Sequence, residues 1–123
     1  MERIGPDDNS VLQQGKEISM RIYIAGQVSG LKREKVEKNF TRGYNLLAAN
    51  GFEPVNPLHC VSPIDRCNKK AMSKLLPILL DCDGIMMLNG WEFSHGAKIE
   101  YQLAKYAGLK VIMEDDLLIP DIK

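Results

Sequence analysis

The chain has 123 residues, 45% hydrophobic and 26% charged, which fits a single globular domain able to bury a core without cross-links. Sixteen basic residues balance sixteen acidic ones, so the formal net charge is zero and gives no footprint for a nucleic-acid backbone or an anionic membrane. Cys60, Cys67 and Cys82 are odd in number and irregularly spaced, which argues against a disulfide framework and fits a reducing compartment.

Residues 1–19 are polar, contain Gly and Pro and show no period, so they read as a flexible extension preceding a domain over 20–123. They lack the basic-then-apolar order of a signal peptide, and no run is long enough to span a bilayer, so a cytoplasmic location is expected. Arg21-Ile22-Tyr23-Ile24-Ala25 is an apolar run ended by Gly26 and predicts the first strand. Leu31 to Asn50 carries Val36, Phe40, Tyr44, Leu47 and Ala48 at helical spacing, with Asn50-Gly51 as its stop. The Lys32-Arg33-Glu34-Lys35 stretch reads as its solvated start. Phe52 to Asn56 predicts a second strand, cut by Pro57, and a loop runs from there to Asn68. Lys69 to Leu80 predicts a helix that Pro77 should kink or restart. Gly84 to Leu88 is a fully apolar third strand, Ser94 to Ala107 a helix capped by Gly108, and Leu109 to Met113 a fourth strand. Leu117 to Ile119 leaves room for a short fifth. Strands alternating with helices predict a parallel sheet with right-handed crossovers. In such folds a ligand sits outside the carboxyl ends of the strands, which directs attention to the residues after strands one and three.

Within the last helix, Ala97, Ile99, Leu103, Ala104 and Ala107 share an apolar arc at about 100° per residue. Glu100 falls inside that arc, nearly opposite Lys98. A buried, unpaired carboxylate is costly, so Glu100 must be paired, protonated or facing a cleft, and is a candidate catalytic group. Tyr23 is either a core tyrosine with its hydroxyl at the edge or a group that holds Glu100 in place. After strand one, Gly26, Ser29 and Gly30 suit either a phosphate or ribose contact or a plain glycine-rich turn. After strand three, Ser94 is an N-cap candidate, and with the small Gly96 it makes the helix start an anion site. Trp91 reads as a wall for a base or as a packing residue. His95 reads as a surface residue. Asp81 and Asp83 read as a solvated helix-to-strand connection or as site carboxylates. His59, Cys60 and Cys67 match no zinc spacing, and no metal is expected.

Arg21-Ile22-Tyr23-Ile24-Ala25-Gly26, Asp81-Cys82-Asp83-Gly84-Ile85 and the block from Gly90-Trp91-Glu92-Phe93-Ser94-His95-Gly96-Ala97-Lys98-Ile99-Glu100 resemble the small bacterial and phage DUF4406 proteins. Those are similar to nucleoside 2-deoxyribosyltransferases and to 2′-deoxynucleoside 5′-monophosphate N-glycosidases. The resemblance runs from Met20 to about Met113. It implies a flavodoxin-like, Rossmann-like three-layer α/β sandwich with a parallel sheet of four or five strands in the order 2-1-3-4(-5). It also implies that Glu100 is a nucleophile forming a covalent glycosyl intermediate and that Tyr23 orients it. Gly26, Ser29, Gly30, Asp83, Trp91, Ser94 and Gly96 would contact the substrate. In the monophosphate hydrolases the position of Ser94 is a serine on the 5′-phosphate; in typical transferases it is an aspartate on the sugar hydroxyl.

Two departures stand out. Relatives carry an aspartate that assists departure of the base at the position occupied here by Leu75, and usually a proline at Gln27. The resulting expectation is a transferase or hydrolase cleaving or exchanging the N-glycosidic bond of a deoxynucleoside or its 5′-monophosphate, with no cofactor, in a homo-oligomer. Two alternatives stay open: a non-catalytic nucleotide-binding module, and a glycohydrolase of another ribosyl nucleotide such as NAD.

Overall fold

The computed structural model describes residues 19–60 and 68–117. Strand β1 (Arg21–Ala25) is buried on both faces, with Ile22 and Ile24 on one side and Tyr23 and Ala25 on the other. That alternation divides the core. Helix α1 (Arg33–Ala49) buries Val36, Phe40, Gly43 and Leu47 along one stripe, and with Ile22, Ile24, Met86, Leu88 and Ile112 they form the first half. On the opposite face, α2 (Asn68–Leu80) and α3 (His95–Ala107) bring Leu79, Ala97 and Ala104 against Tyr23, Ala25, Ile85 and Met87.

Strands β2 (Glu53–Val55), β3 (Gly84–Met87) and β4 (Lys110–Met113) complete a four-stranded sheet in the order β2-β1-β3-β4. All pairs are parallel: Tyr23 lies beside Val55 and Ile85, and Met87 joins Ala25 to Met113 across the sheet. This is the expected 2-1-3-4 order of a flavodoxin-like α/β fold. The chain leaves β1 towards β2 on one side and returns to β3 on the other, so the switch point lies between the carboxyl ends of β1 and β3.

Several local expectations are corrected. Strand β2 is shorter than Phe52–Asn56, because the Phe52 amide closes the end of α1 on Leu47 O and the Asn56 side chain caps a 3-10 turn over Pro57–His59. Helix α2 runs through Pro77, so of the expected kink or restart it is the restart that does not occur. Pro77 and Ser73 are both exposed, so the Ser73 carbonyl that loses its helical donor meets solvent. Leu117 follows a 3-10 turn over Glu114–Asp116 instead of opening a strand, and residues 118 and 119 of the expected fifth strand lie outside the described residues. Of the expected extension, residues 1–18 also lie outside them, as does Cys67.

The carboxyl edge is held by a buried charge. Glu114, 6% exposed, accepts two hydrogen bonds from Arg42 of α1, Nε to Oε2 at 2.5 Å and Nη2 to Oε1 at 3.1 Å, and a third from the Asn89 backbone N–H at 2.8 Å. Burial alone would raise the Glu114 carboxyl, but Arg42 and the Asn89 amide outweigh it and hold it below its ordinary value. Asn89 begins the loop to Ser94, so this clamp fixes where that loop leaves the sheet. Arg42→Met should strand the carboxylate on a single donor and cost about 2–3 kcal/mol in urea unfolding at pH 7. A lowered folded-state pKa contributes stability that is present above the unfolded value and lost as pH falls, so the deficit should shrink on acidification below pH 4.5.

Candidate active site

Glu100 is 6% exposed on the sheet-facing side of α3, and Tyr23 of β1 is fully buried beneath it. The Tyr23 hydroxyl donates to Glu100 Oε2 at 2.6 Å. Among the described residues Tyr23 is the one donor to this carboxylate, and no cationic side chain pairs with it. Burial raises the Glu100 carboxyl and the Tyr23 hydrogen bond only partly offsets this, leaving it at about 7. Burial, and then the negative charge of Glu100, push the Tyr23 phenol far above its ordinary value, so the shared proton stays on Tyr23. A carboxylate poised near neutrality and held by one short hydrogen bond is equipped for nucleophilic or acid–base work.

Around this pair the sequence candidates divide. Ser94 is the N-cap of α3 and its Oγ accepts from the Ala97 amide at 3.1 Å, so its own proton remains available to a ligand. The first amides of α3 have no partner within the helix, as at any helix start. Gly96 is closely approached: a Cβ there would lie 3.1 Å from the terminal methyl of Met72, which leans from α2 over this first turn and would have to give way slightly. Gly26 is buried at the end of β1, and its lack of a side chain is accounted for by packing, since a Cβ would fall 2.8 Å from Leu88 Cδ1. Ser29 and Gly30 form the exposed turn that follows, with Gly30 at φ 88° and Gln27 Nε2 donating to Ser29 O at 3.0 Å. These loops share an edge, because the Leu88 amide bonds to Ala25 O at 2.8 Å where both strands finish.

One candidate is placed elsewhere. Asp83 lies at the amino ends of the strands, where Oδ2 accepts from the Arg21 amide at 2.8 Å, beside an Arg21–Asp81 ion pair at 2.9 Å. It is therefore on the opposite edge of the sheet from Ser94 and the β1 turn. Trp91 sits in a 3-10 turn over Trp91–Phe93, and its ring packs on Tyr101 with centroids 4.8 Å apart. Lys105 Nζ lies 5.1 Å from the Tyr101 ring centre, so Tyr101 meets both the indole and a cation along α3. Leu75 is half-buried and packs against the same half of the core as Tyr23 and Ala97.

A family model described as "Domain of unknown function (DUF4406)" matches residues 20–113. The chain belongs to the DUF4406 family. Among solved structures it is similar to a CMP N-glycosidase of Clostridium botulinum, BcmB, at 25% identity over 76% of this chain and 69% of that one, with a TM-score of 0.49. No curated protein matches it.

This DUF4406 chain also holds contacts around the site that carry no local sequence signal. The pairing of Glu114 with Arg42 is one; they lie 72 residues apart in chain order, and nothing in Met113-Glu114-Asp115-Asp116 distinguishes a buried glutamate from its exposed neighbours. The packing of Tyr101 on Trp91 is another. Among the described residues no cluster of His, Cys, Asp or Glu could hold a metal ion, and no helix is long and apolar enough to cross a membrane. The two described thiols differ sharply. Cys82 is buried, pushed up to about 11 mainly by burial, and donates to Ile78 O at 3.3 Å, whereas Cys60 is exposed. Alkylation of the native protein followed by peptide mapping should modify Cys60 and spare Cys82 until the fold is denatured.

Proposed function

We propose that this protein cleaves or exchanges the N-glycosidic bond of a deoxynucleoside or its 5′-monophosphate through a covalent intermediate on Glu100. The observation that carries the reading is the buried 2.6 Å hydrogen bond from Tyr23 to one oxygen of a carboxylate with no other donor among the described residues. Tyr23 fixes the carboxylate and leaves Oε1 for attack on C1′. The C1′–N bond breaks with its electron pair on the base, and an ester forms between Glu100 and the sugar. Water, or the nitrogen of a second base, then attacks C1′ from the face the first base left, and Glu100 departs as a carboxylate. The stereochemical logic is that of a retaining glycosidase.

Ser94 and the first turn of α3 are the proposed contacts for the 5′-phosphate, since a helix start with a free hydroxyl proton favours a dianion. Gly26, Ser29, Gly30, Gly96 and Trp91 are proposed to shape the sugar and base sites. The cytoplasmic setting, the homo-oligomer, the lack of a cofactor and a domain spanning 20–123 after an extension belong to the same proposal. Leu75 favours one second reading, a nucleotide-binding module without turnover, because an alkyl chain moves no proton. The test is incubation with deoxynucleosides and their monophosphates, with and without an acceptor base, read by chromatography. Free base without acceptor identifies a hydrolase and a new nucleoside identifies a transferase. Ligand-induced stabilisation with no product in either arm would leave the binding module.

A further inference from the structure

We propose that the Glu100 site selects glycosides whose base already carries a positive charge on the ring that bears the glycosidic nitrogen, as in N7-alkylated purine nucleotides and N-ribosylpyridiniums. The inference rests on Glu100 acting as the nucleophile. A neutral base leaves as an anion unless a positioned acid protonates it; a cationic base leaves neutral and needs no proton.

Among the described residues no such acid contacts Glu100 apart from Tyr23. The Tyr23 proton is committed to Glu100 Oε2. Asp81 and Asp83 are engaged with Arg21 at the amino edge of the sheet. The Cys82 thiol is turned to Ile78 O, and the exposed Cys60 thiol to Asn56 O at 3.6 Å. His95 is exposed five residues before Glu100, which places it about 140° away around the helix. Tyr101, half-buried in the same cluster, packs on Trp91, and Ala25, Leu75, Leu79, Met87 and Ala97 are the alkyl groups clustered with Tyr23. These alkyl groups cannot hydrogen-bond the edge of a departing base, but they keep water from an ionised Glu100. That carboxylate has no cationic partner among the described residues, so a cationic ring supplies the missing charge on binding.

The step balances without a further reactant. The Glu100 carboxylate forms the bond to C1′, and the C1′–N pair moves onto the ring nitrogen and cancels its positive charge. The neutral base departs. Water then attacks C1′, losing its proton to solvent, and Glu100 is released.

The experiment compares two substrates that differ only in this charge: 2′-deoxyguanosine 5′-monophosphate and its N7-methyl derivative. Free base is measured by chromatography, with spontaneous release subtracted from enzyme-free controls. The expected kcat/KM ratio is on the order of 10² or more in favour of the methylated nucleotide, because no acid that would level the two contacts Glu100 among the described residues. Glu100→Gln should abolish both reactions. A ratio within tenfold overturns the charge selection while leaving the glycosidase reading intact, and would mean that a donor reaches the base from elsewhere in the chain or from a second copy. Cleavage of neither nucleotide, or equal cleavage by Glu100→Gln, overturns both.

Discussion

Glu100→Gln should be inactive and more stable than the wild type, with a gain that grows from about pH 4.5 to about pH 7 and holds above it. Glutamine keeps the shape and still accepts from Tyr23, so the 2.6 Å contact survives the change. It cannot form the glycosyl ester, and losing the nucleophile of a covalent mechanism lowers turnover on the order of 10⁴-fold or more. The stability effect has the opposite sign. Burial lifts the carboxyl from 4.5 to about 7 in the folded protein, so between these values the native state binds more protons than the unfolded chain. Wild-type stability therefore falls as pH rises through that window, by about 3 kcal/mol at 1.36 kcal/mol per unit. The variant does not titrate and escapes this loss. Urea unfolding should give the two proteins similar stability at pH 4 and a clear advantage to Glu100→Gln at pH 8. In the wild type kcat/KM should rise with pH through about 7 as the nucleophile ionises. A variant no more stable than wild type at pH 8 would mean that the Glu100 charge is compensated in the native state and is not held ready for a substrate.

Glu100 was legible because one charged residue broke the phase of an otherwise regular helix, and the phase places it correctly under the tools of elementary helix geometry. The alternation in Ile22-Tyr23-Ile24-Ala25 did the same for Tyr23, since a polar-tipped residue in a doubly covered strand must find a partner on one face. Strand order followed from element order, short parallel connections and the resemblance. Placement was less legible than residue type. Asp83 is adjacent in sequence to β3 but on its amino side, and proximity to a strand does not say which end of the sheet a ligand meets. The apolar character of Trp91 suits a base and a neighbouring Tyr101 equally well, and only the packing decides. Gly26 shows the converse: a glycine at the switch point looks like room for a ligand, and the space is taken by Leu88. The Arg42–Glu114 clamp depends on contacts between distant segments that carry no local period.

Leu75→Asp should give turnover on neutral bases that the wild type handles poorly. Leu75 sits on α2, half-buried against the part of the core that holds Tyr23 and Ala97. A carboxyl introduced near an ionised Glu100 is itself pushed up by burial and by the like charge, so it carries a proton near neutral pH and can pass it to a departing base. General-acid help is worth on the order of 10²–10⁴ in rate, and that gain is expected on 2′-deoxyguanosine 5′-monophosphate. The N7-methyl nucleotide needs no proton and should gain nothing, so the two substrates converge. Losing the leucine side chain and burying a carboxyl should cost about 2–4 kcal/mol of stability, to be measured alongside activity. Leu75→Asn separates the acid from the polarity: it carries the same change of shape with no proton to give, and its neutral-base rate should stay at the wild-type level. Equal rates for the Asp and Asn variants, with both folded, would show that position 75 does not reach the base and that proton delivery is not what limits this site.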